Sequence, residues 1–204
     1  MLTETRWAAL WQRMGVAAPP AVFLKLYARY AELHRHYHTA RHVNECFMHL
    51  DGASALCEHA TEVEFALWFH DAIYEPRAKD NEARSADWAV QVMREAALSP
   101  DAQARVRTLI IATCHDALPD TRDAQVLVDI DLSILGADAA RFDEYEHQVR
   151  AEYGWVPDFL FRRTRRKILQ SFIARPSIYA TTHFKNQLEK KARENLARSL
   201  SALG

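Results

Sequence analysis

Residues 63–74 of this 204-residue chain read Val-Glu-Phe-Ala-Leu-Trp-Phe-His-Asp-Ala-Ile-Tyr. The first seven form a nearly unbroken apolar run, which suits a buried helix and is too short to cross a bilayer. His70 and Asp71 follow this run directly. Burying a carboxylate beside an imidazole is costly unless the charge is paired or bound to a metal. The stretch therefore predicts a central buried helix that ends in a compensated pair of polar groups.

Apolar residues recur at helical spacing on both sides of this stretch. The pattern predicts helices around residues 7–14, 23–30, 43–50, 85–97, 106–114, 126–135, 162–175 and 183–200. The segment 126–135 has the β-branched content of a strand, but its apolar residues also share one helical face, and we predict a helix there. No alternating pattern bounded by hairpin turns is present. We therefore expect an all-α fold of about eight or more helices, given typical helix lengths.

Composition places the chain among ordinary folded proteins, with 49% apolar and 26% charged residues. Disordered and collagen-like classes are excluded. No Pro/Gly/Ser-rich linker divides the sequence, so we expect a single domain over residues 1–204.

Three cysteines, Cys46, Cys57 and Cys114, lie far apart and form no CxxC pair. This argues against a disulfide framework and against a thiolate zinc site, and it fits a reducing cytoplasm. No apolar leader opens the sequence and no stretch is long enough to span a bilayer. We expect a cytoplasmic protein with no membrane partner.

Charge is unevenly distributed along the chain. The net charge is −1, yet the residues from Arg162 onward hold eleven Lys and Arg against two Glu. This basic C-terminal extension, with its cluster at Arg162 to Lys167, could be a solvated helix face, an internal electrostatic contact or a phosphate-binding surface. The Arg162 to Lys167 cluster is not interleaved with aromatic residues that could stack on bases, and the chain as a whole is not basic, so we do not expect a nucleic-acid partner. The last helix could close an internal core or pair with a second chain in a homodimer.

Four polar groups from separate parts of the chain are candidates for one metal site. His38 and His42 are four residues apart, and the His70-Asp71 pair follows. His115-Asp116 ends a later apolar helix, and Asp131 lies within Asp129-Ile130-Asp131-Leu132. A set of imidazoles and carboxylates suits Mn, Fe, Ni, Zn or Mg and leaves positions open for water and substrate.

At these residues the sequence resembles the HD-domain superfamily of metal-dependent phosphohydrolases, whose signature is H…HD…D. His42 matches the first histidine, His70-Asp71 the doublet and Asp131 the last aspartate. The resemblance covers about residues 25–140. The longer strings 35–42, 68–74, 80–86 and 129–136 are similar to a bacterial branch whose members have no assigned substrate.

The resemblance implies an HD-type helical bundle over about residues 25–140, with C-terminal helices from about 141–204 packed on it. His42, His70, Asp71 and Asp131 would hold one divalent ion, which could be Mn, Fe, Ni, Co, Zn or Mg. Such an ion activates water for attack on a phosphate ester. The implied substrate is a small nucleotide-like or sugar-phosphate molecule.

Further residues receive expected roles around this site. Besides Asp71, the candidate catalytic residues are Glu75, Glu82 and His115. Either glutamate could be a general base or orient the water, and Glu75 could equally be a solvated loop acid. His115 is expected to line the site and touch a phosphate or a water, with ligation of a second metal as the alternative.

Cationic residues and further histidines are candidates for binding the substrate phosphate. We expect His38, Arg41 and Lys79 in this role, with Arg35 and Arg84 as further candidates, and a plain surface role stays open for each cation. Two other functions remain alternatives: a non-catalytic nucleotide-binding or regulatory protein, and an iron-dependent oxygenase on a related fold.

Overall fold

The all-α prediction is confirmed by a computed structural model, which describes residues 1–115 and 117–204. Ten α-helices and no strand occur within these two ranges. The helices are α1 Glu4–Arg13, α2 Pro20–Tyr30, α3 Ala40–Ala53, α4 Ala60–Phe69, α5 Asn81–Glu95, α6 Pro100–Ile111, α7 Arg122–Asp131, α8 Ala139–Glu152, α9 Asp158–Ile173 and α10 Thr182–Ala202. Short 3-10 turns cover Ser54–Leu56, Ala112–Cys114 and Leu132–Gly136.

Contacts divide the chain into two compact units, Met1–Val128 and Asp129–Gly204. We call them unit 1 and unit 2, and the boundary falls inside α7. The single domain over 1–204 stays a prediction. Among the described residues, no helix has both the length and the apolar character needed to cross a membrane.

Helix α4 is the centre of unit 1, as its apolar sequence predicts. Every residue from 63 to 69 is buried, and α1, α3, α5 and α6 all pack against this helix. Aromatic rings fill the space around it, with Trp7 at 5.0 Å from Trp68 and Phe65 at 4.8 Å from Phe69 between ring centroids. This dense packing holds α4 in place, and the C-terminal end of α4 carries the candidate site.

One charged residue, Glu64, lies within the buried run of α4. The carboxylate of Glu64 accepts a hydrogen bond from Arg6 Nε at 2.7 Å and another from Arg13. Both arginines come from α1. An unpaired carboxylate would be costly at this depth, so the two guanidinium groups make this position tolerable for Glu64 and hold α1 to α4.

In unit 2, helix α10 packs on the 3-10 turn Leu132–Gly136 and on α9. Glycine is required at Gly136 for steric reasons, because a Cβ there would lie 2.6 Å from Leu188 Cβ of α10. The helix α8 was not predicted from the sequence. Only four of its fourteen residues are buried, so its apolar stripe is too thin to give a clear periodic signal.

Candidate metal centre

His70 is held by the end of α4. Its backbone N–H donates to Ala66 O at 2.8 Å, and its ring Nδ1 lies 3.0 Å from Leu67 O. A carbonyl oxygen only accepts hydrogen bonds, so Nδ1 must carry the proton. This assignment leaves Nε2 of the neutral ring as a lone-pair donor, which is the form that binds a metal.

His42 approaches from the first turn of α3. This helix begins after Thr39, whose hydroxyl accepts a hydrogen bond from Arg41 N at 3.3 Å. The ring Nδ1 of His42 is 3.0 Å from the hydroxyl of Tyr37, and its Nε2 is 3.1 Å from Nε2 of His70. Both rings therefore present Nε2 to the same point while their outer nitrogens are bonded to other groups.

Asp71 supplies a carboxylate at this point. Its Oδ2 lies 3.1 Å from Nε2 of His70 and 3.5 Å from Nε2 of His42. Burial alone would raise the pKa of Asp71, but the nearby imidazoles of His70, His38 and His42 outweigh it and hold the pKa well below its usual range. The carboxylate is therefore charged at neutral pH.

The three donor atoms have the spacing that a shared metal ion requires. Ligand atoms about 2.1 Å from one ion lie about 3.0 Å apart at right angles and about 3.4 Å apart at the tetrahedral angle. The observed separations of 3.1, 3.1 and 3.5 Å fall on these values. His42, His70 and Asp71 are therefore fit to hold a divalent ion, and we call these three residues the metal centre.

The structure adds Cys46 to the surroundings of the metal centre. Cys46 is buried on α3, and its Sγ lies 3.8 Å from both ring nitrogens of His42. Ligand atoms of His42, Cys46 and His70 all lie within 4.8 Å of one another. The sequence contained a signal for this, since residues four apart share one helix face.

The fourth predicted ligand, Asp131, is half-buried and is the last residue of α7, at the start of unit 2. Its ligation stays a prediction.

Arg35 organises the backbone around the metal centre. Its guanidinium donates to His38 O at 3.1 Å, to Asp71 O at 2.6 Å and to Ala72 O at 3.2 Å. Its Nε donates to Glu32 at 3.0 Å, and the side chain is fully buried. The expectation that Arg35 binds phosphate is therefore wrong, because its donors are committed to neighbouring groups of the protein.

His38 lies close to the metal centre, as its predicted role requires. The half-buried ring stacks on Tyr74 at 4.1 Å between centroids and meets His42 edge-on at 6.2 Å. It also contributes to the low pKa of Asp71. Its role in binding substrate stays a prediction.

The other predicted residues of this region lie at or near the surface. Glu75 and Lys79 are exposed on the loop between α4 and α5, and Glu82 is half-buried in the first turn of α5. Arg41 is exposed and forms an ion pair with Glu45 at 3.3 Å. The roles of these residues stay predictions.

His115 ends the 3-10 turn after α6 with a left-handed backbone, at φ 58°. Few residues other than glycine adopt this conformation. The ring is half-buried. Its partner in the sequence prediction, Asp116, lies outside the described residues, and second-metal ligation stays a prediction.

No protein-family model, curated protein or solved structure matches this chain.

Proposed function

We propose that this protein is a metal-dependent phosphohydrolase of the HD type, acting on a phosphate ester of a small nucleotide-like or sugar-phosphate molecule. One observation carries the proposal: His42, His70 and Asp71 place three ligand atoms 3.1 to 3.5 Å apart. These residues are the H…HD part of the signature. Asp131 as the fourth ligand follows from the resemblance.

The residues of the chain prepare this site before any ion binds. Tyr37 and the carbonyl of Leu67 hold the outer nitrogens of the two histidines, which fixes the ring orientations. Arg35 donates a hydrogen bond to the carbonyl of Asp71 and so holds its backbone in place. A divalent ion at this site supplies Lewis acidity, which activates water near neutral pH and offsets charge on a phosphate ester.

Substrate binding is proposed for residues around the loop between α4 and α5. His38 presents its ring beside the metal centre. Arg41 and Lys79 are exposed cations that could meet phosphate oxygens. Glu75, in the middle of this loop, and Glu82, in the first turn of α5, are candidates to orient or deprotonate water.

The test is a turnover screen of metal-stripped protein supplied singly with Mn, Fe, Ni, Co, Zn or Mg. Substrates are phosphomonoesters, phosphodiesters and nucleotides, and the readout is release of phosphate or nucleoside. Asp71→Asn removes the charged ligand, and Asp80→Asn is the matched control, since Asp80 is a solvent-exposed acid at the end of the same loop. We expect turnover by wild type and Asp80→Asn and none by Asp71→Asn.

Equal turnover by Asp71→Asn and wild type would overturn the proposal. Metal binding with no product from any substrate would favour a regulatory protein instead.

A second candidate function is an iron-dependent oxygenase. Two histidines and one carboxylate form the ligand set of many non-haem iron oxygenases, and the metal centre has this composition. Oxygen consumption by the Fe²⁺-loaded protein, with no phosphate release from any ester, would favour this function over hydrolysis.

A further inference from the structure

Cys46 occupies a position from which it could share an ion with His42. The two residues lie one turn apart on α3, and Sγ is equally distant, at 3.8 Å, from both ring nitrogens of His42. The side chain is buried, with 1% of its surface exposed. Ligands four residues apart on a helix bind one metal from the same face, as the two histidines of H-E-x-x-H motifs do.

The distances suit sulfur ligation. Metal–sulfur bonds of about 2.3 Å and metal–nitrogen bonds of about 2.1 Å place the two atoms about 3.6 Å apart at the tetrahedral angle. The observed 3.8 Å is close to this value. A nitrogen of His70 lies within 4.8 Å of the same sulfur, so one ion could reach all three residues.

We propose that Cys46 is a thiolate ligand of the metal centre and that the centre selects Zn²⁺, Co²⁺ or Fe²⁺ over Mg²⁺. The inference rests on the metal centre of the proposed function. Thiolate is a soft ligand that favours transition metals, whereas Mg²⁺ takes oxygen ligands in octahedral geometry. As the metal–sulfur bond forms, the thiol proton passes to solvent.

The other cysteines provide a matched control. Cys57 is half-buried and lies outside the cluster of ligand atoms. Burial, with the charge of Asp123 nearby, raises the pKa of the Cys57 thiol to about 11. Because Cys57 lies outside that cluster, Cys57→Ser removes one thiol from unit 1 without changing the metal centre.

The experiment is a Co²⁺ titration of the metal-free full-length protein, followed by absorption spectroscopy. Thiolate ligation gives an intense sulfur-to-cobalt charge-transfer band in the near ultraviolet, and Co²⁺ itself gives weak visible bands with any ligands. We expect the charge-transfer band in wild type and Cys57→Ser. We expect its loss in Cys46→Ser and Cys46→Ala, with the visible bands retained. Circular dichroism shows whether each variant is folded. Two different substitutions of Cys46 are used so that the test still stands if one of them prevents folding.

A competition experiment tests the metal preference. We expect Zn²⁺ affinity to fall by at least about tenfold in Cys46→Ser, with Mg²⁺ affinity unchanged. Visible bands without a charge-transfer band in wild type would overturn sulfur ligation and leave the metal centre standing. Absence of all cobalt bands would overturn both the sulfur ligation and the proposed function. An unchanged charge-transfer band in both Cys46 variants would also overturn the proposal.

Discussion

Two aspartates of unit 1, the half-buried Asp71 and the buried Asp123, each lie beside a histidine, yet their surroundings differ. The carboxylate of Asp123 accepts hydrogen bonds from the backbone N–H of Glu58 at 2.7 Å and of His59 at 2.9 Å. It also lies 3.1 Å from Nδ1 of His59. These groups immediately precede α4, so Asp123 satisfies free N–H groups at the start of that helix.

Asp71 faces imidazole nitrogens instead. Its carboxylate lies against Nε2 of His70 and of His42, and the outer nitrogens of both rings are already bonded. A carboxylate surrounded by backbone donors stabilises the fold, while one that faces two imidazole nitrogens has the partners with which it can share a cation. Both aspartates pair with a histidine, so the residue types do not distinguish them. The difference lies in the further hydrogen-bond partners of each aspartate and histidine.

Unit 2 contains a third aspartate of this kind, Asp129, whose surroundings are similar to those of Asp123. The fully buried carboxylate of Asp129 accepts hydrogen bonds from Ala180 N, Thr181 N and Thr181 Oγ1, each at 2.7 Å. Burial raises the pKa of Asp129, and these three bonds oppose that rise. Of the two aspartates in the segment 129–131, Asp129 therefore stabilises the start of α10.

The largest expected difference is between substitutions of Asp71 and of Asp123. Asp71→Asn should lower turnover by more than about 100-fold and reduce bound metal, since even outer partners of ligands contribute 10–100-fold. Asp123→Asn should lower the free energy of unfolding by about 1–2 kcal/mol and leave the metal content of the folded protein unchanged. Turnover assays, metal analysis and urea unfolding measure the two effects. Loss of metal in Asp123→Asn alone would reverse the assignment of roles.

Substitution of Arg35 tests whether its side chain holds the backbone at Asp71 in place. Arg35→Leu leaves the carbonyls of His38, Asp71 and Ala72 without their buried donor, which should lower the free energy of unfolding by about 3 kcal/mol. The control is Arg29→Leu, which removes a half-exposed guanidinium that also pairs with Glu32 and should cost less than about 1 kcal/mol. Equal unfolding midpoints in urea for the two variants would contradict this role.

Tyr37 tests whether the outer nitrogen of His42 matters for metal binding. Tyr37→Phe keeps the ring but removes the hydroxyl 3.0 Å from Nδ1, so Zn²⁺ affinity should fall by about tenfold. Tyr30→Phe is the control, because it removes a buried hydroxyl that donates to Trp68 O at 3.0 Å. Calorimetric titration should show wild-type affinity in Tyr30→Phe, and an equal loss in both variants would point to a general packing effect.

The smallest effect concerns the basic cluster of unit 2. Arg162 and Arg166 donate to Ala202 O at 3.3 Å and Leu203 O at 2.9 Å, at the negative end of α10. Replacing both by Ala should lower the free energy of unfolding by about 1 kcal/mol and leave metal content unchanged. Arg163→Ala with Lys167→Ala, on exposed positions of the same helix, is the control. A change of oligomeric state in sedimentation only for the first pair would show that these bonds act in assembly.

Much of the fold followed from local pattern. The buried helix α4 was predicted from its apolar run, and α7 was predicted as a helix despite its β-branched residues. The helix α8 was missed, because Phe142, Tyr145 and Val149 give it only a narrow apolar stripe. Arg35 was misjudged because a sequence shows a charge but does not show whether that charge is buried.

Local sequence patterns are enough to assign the α-helices other than α8 and to place the His70-Asp71 pair at the end of a helix, because periodicity and chain order are local properties. The packing of the helices brought Nε2 of His42 to 3.1 Å from Nε2 of His70, which no local pattern shows. It also placed the sulfur of Cys46 beside them. Contacts between residues 28 positions apart depend on how α3 packs against α4, and that packing is set by the whole buried core rather than by either segment.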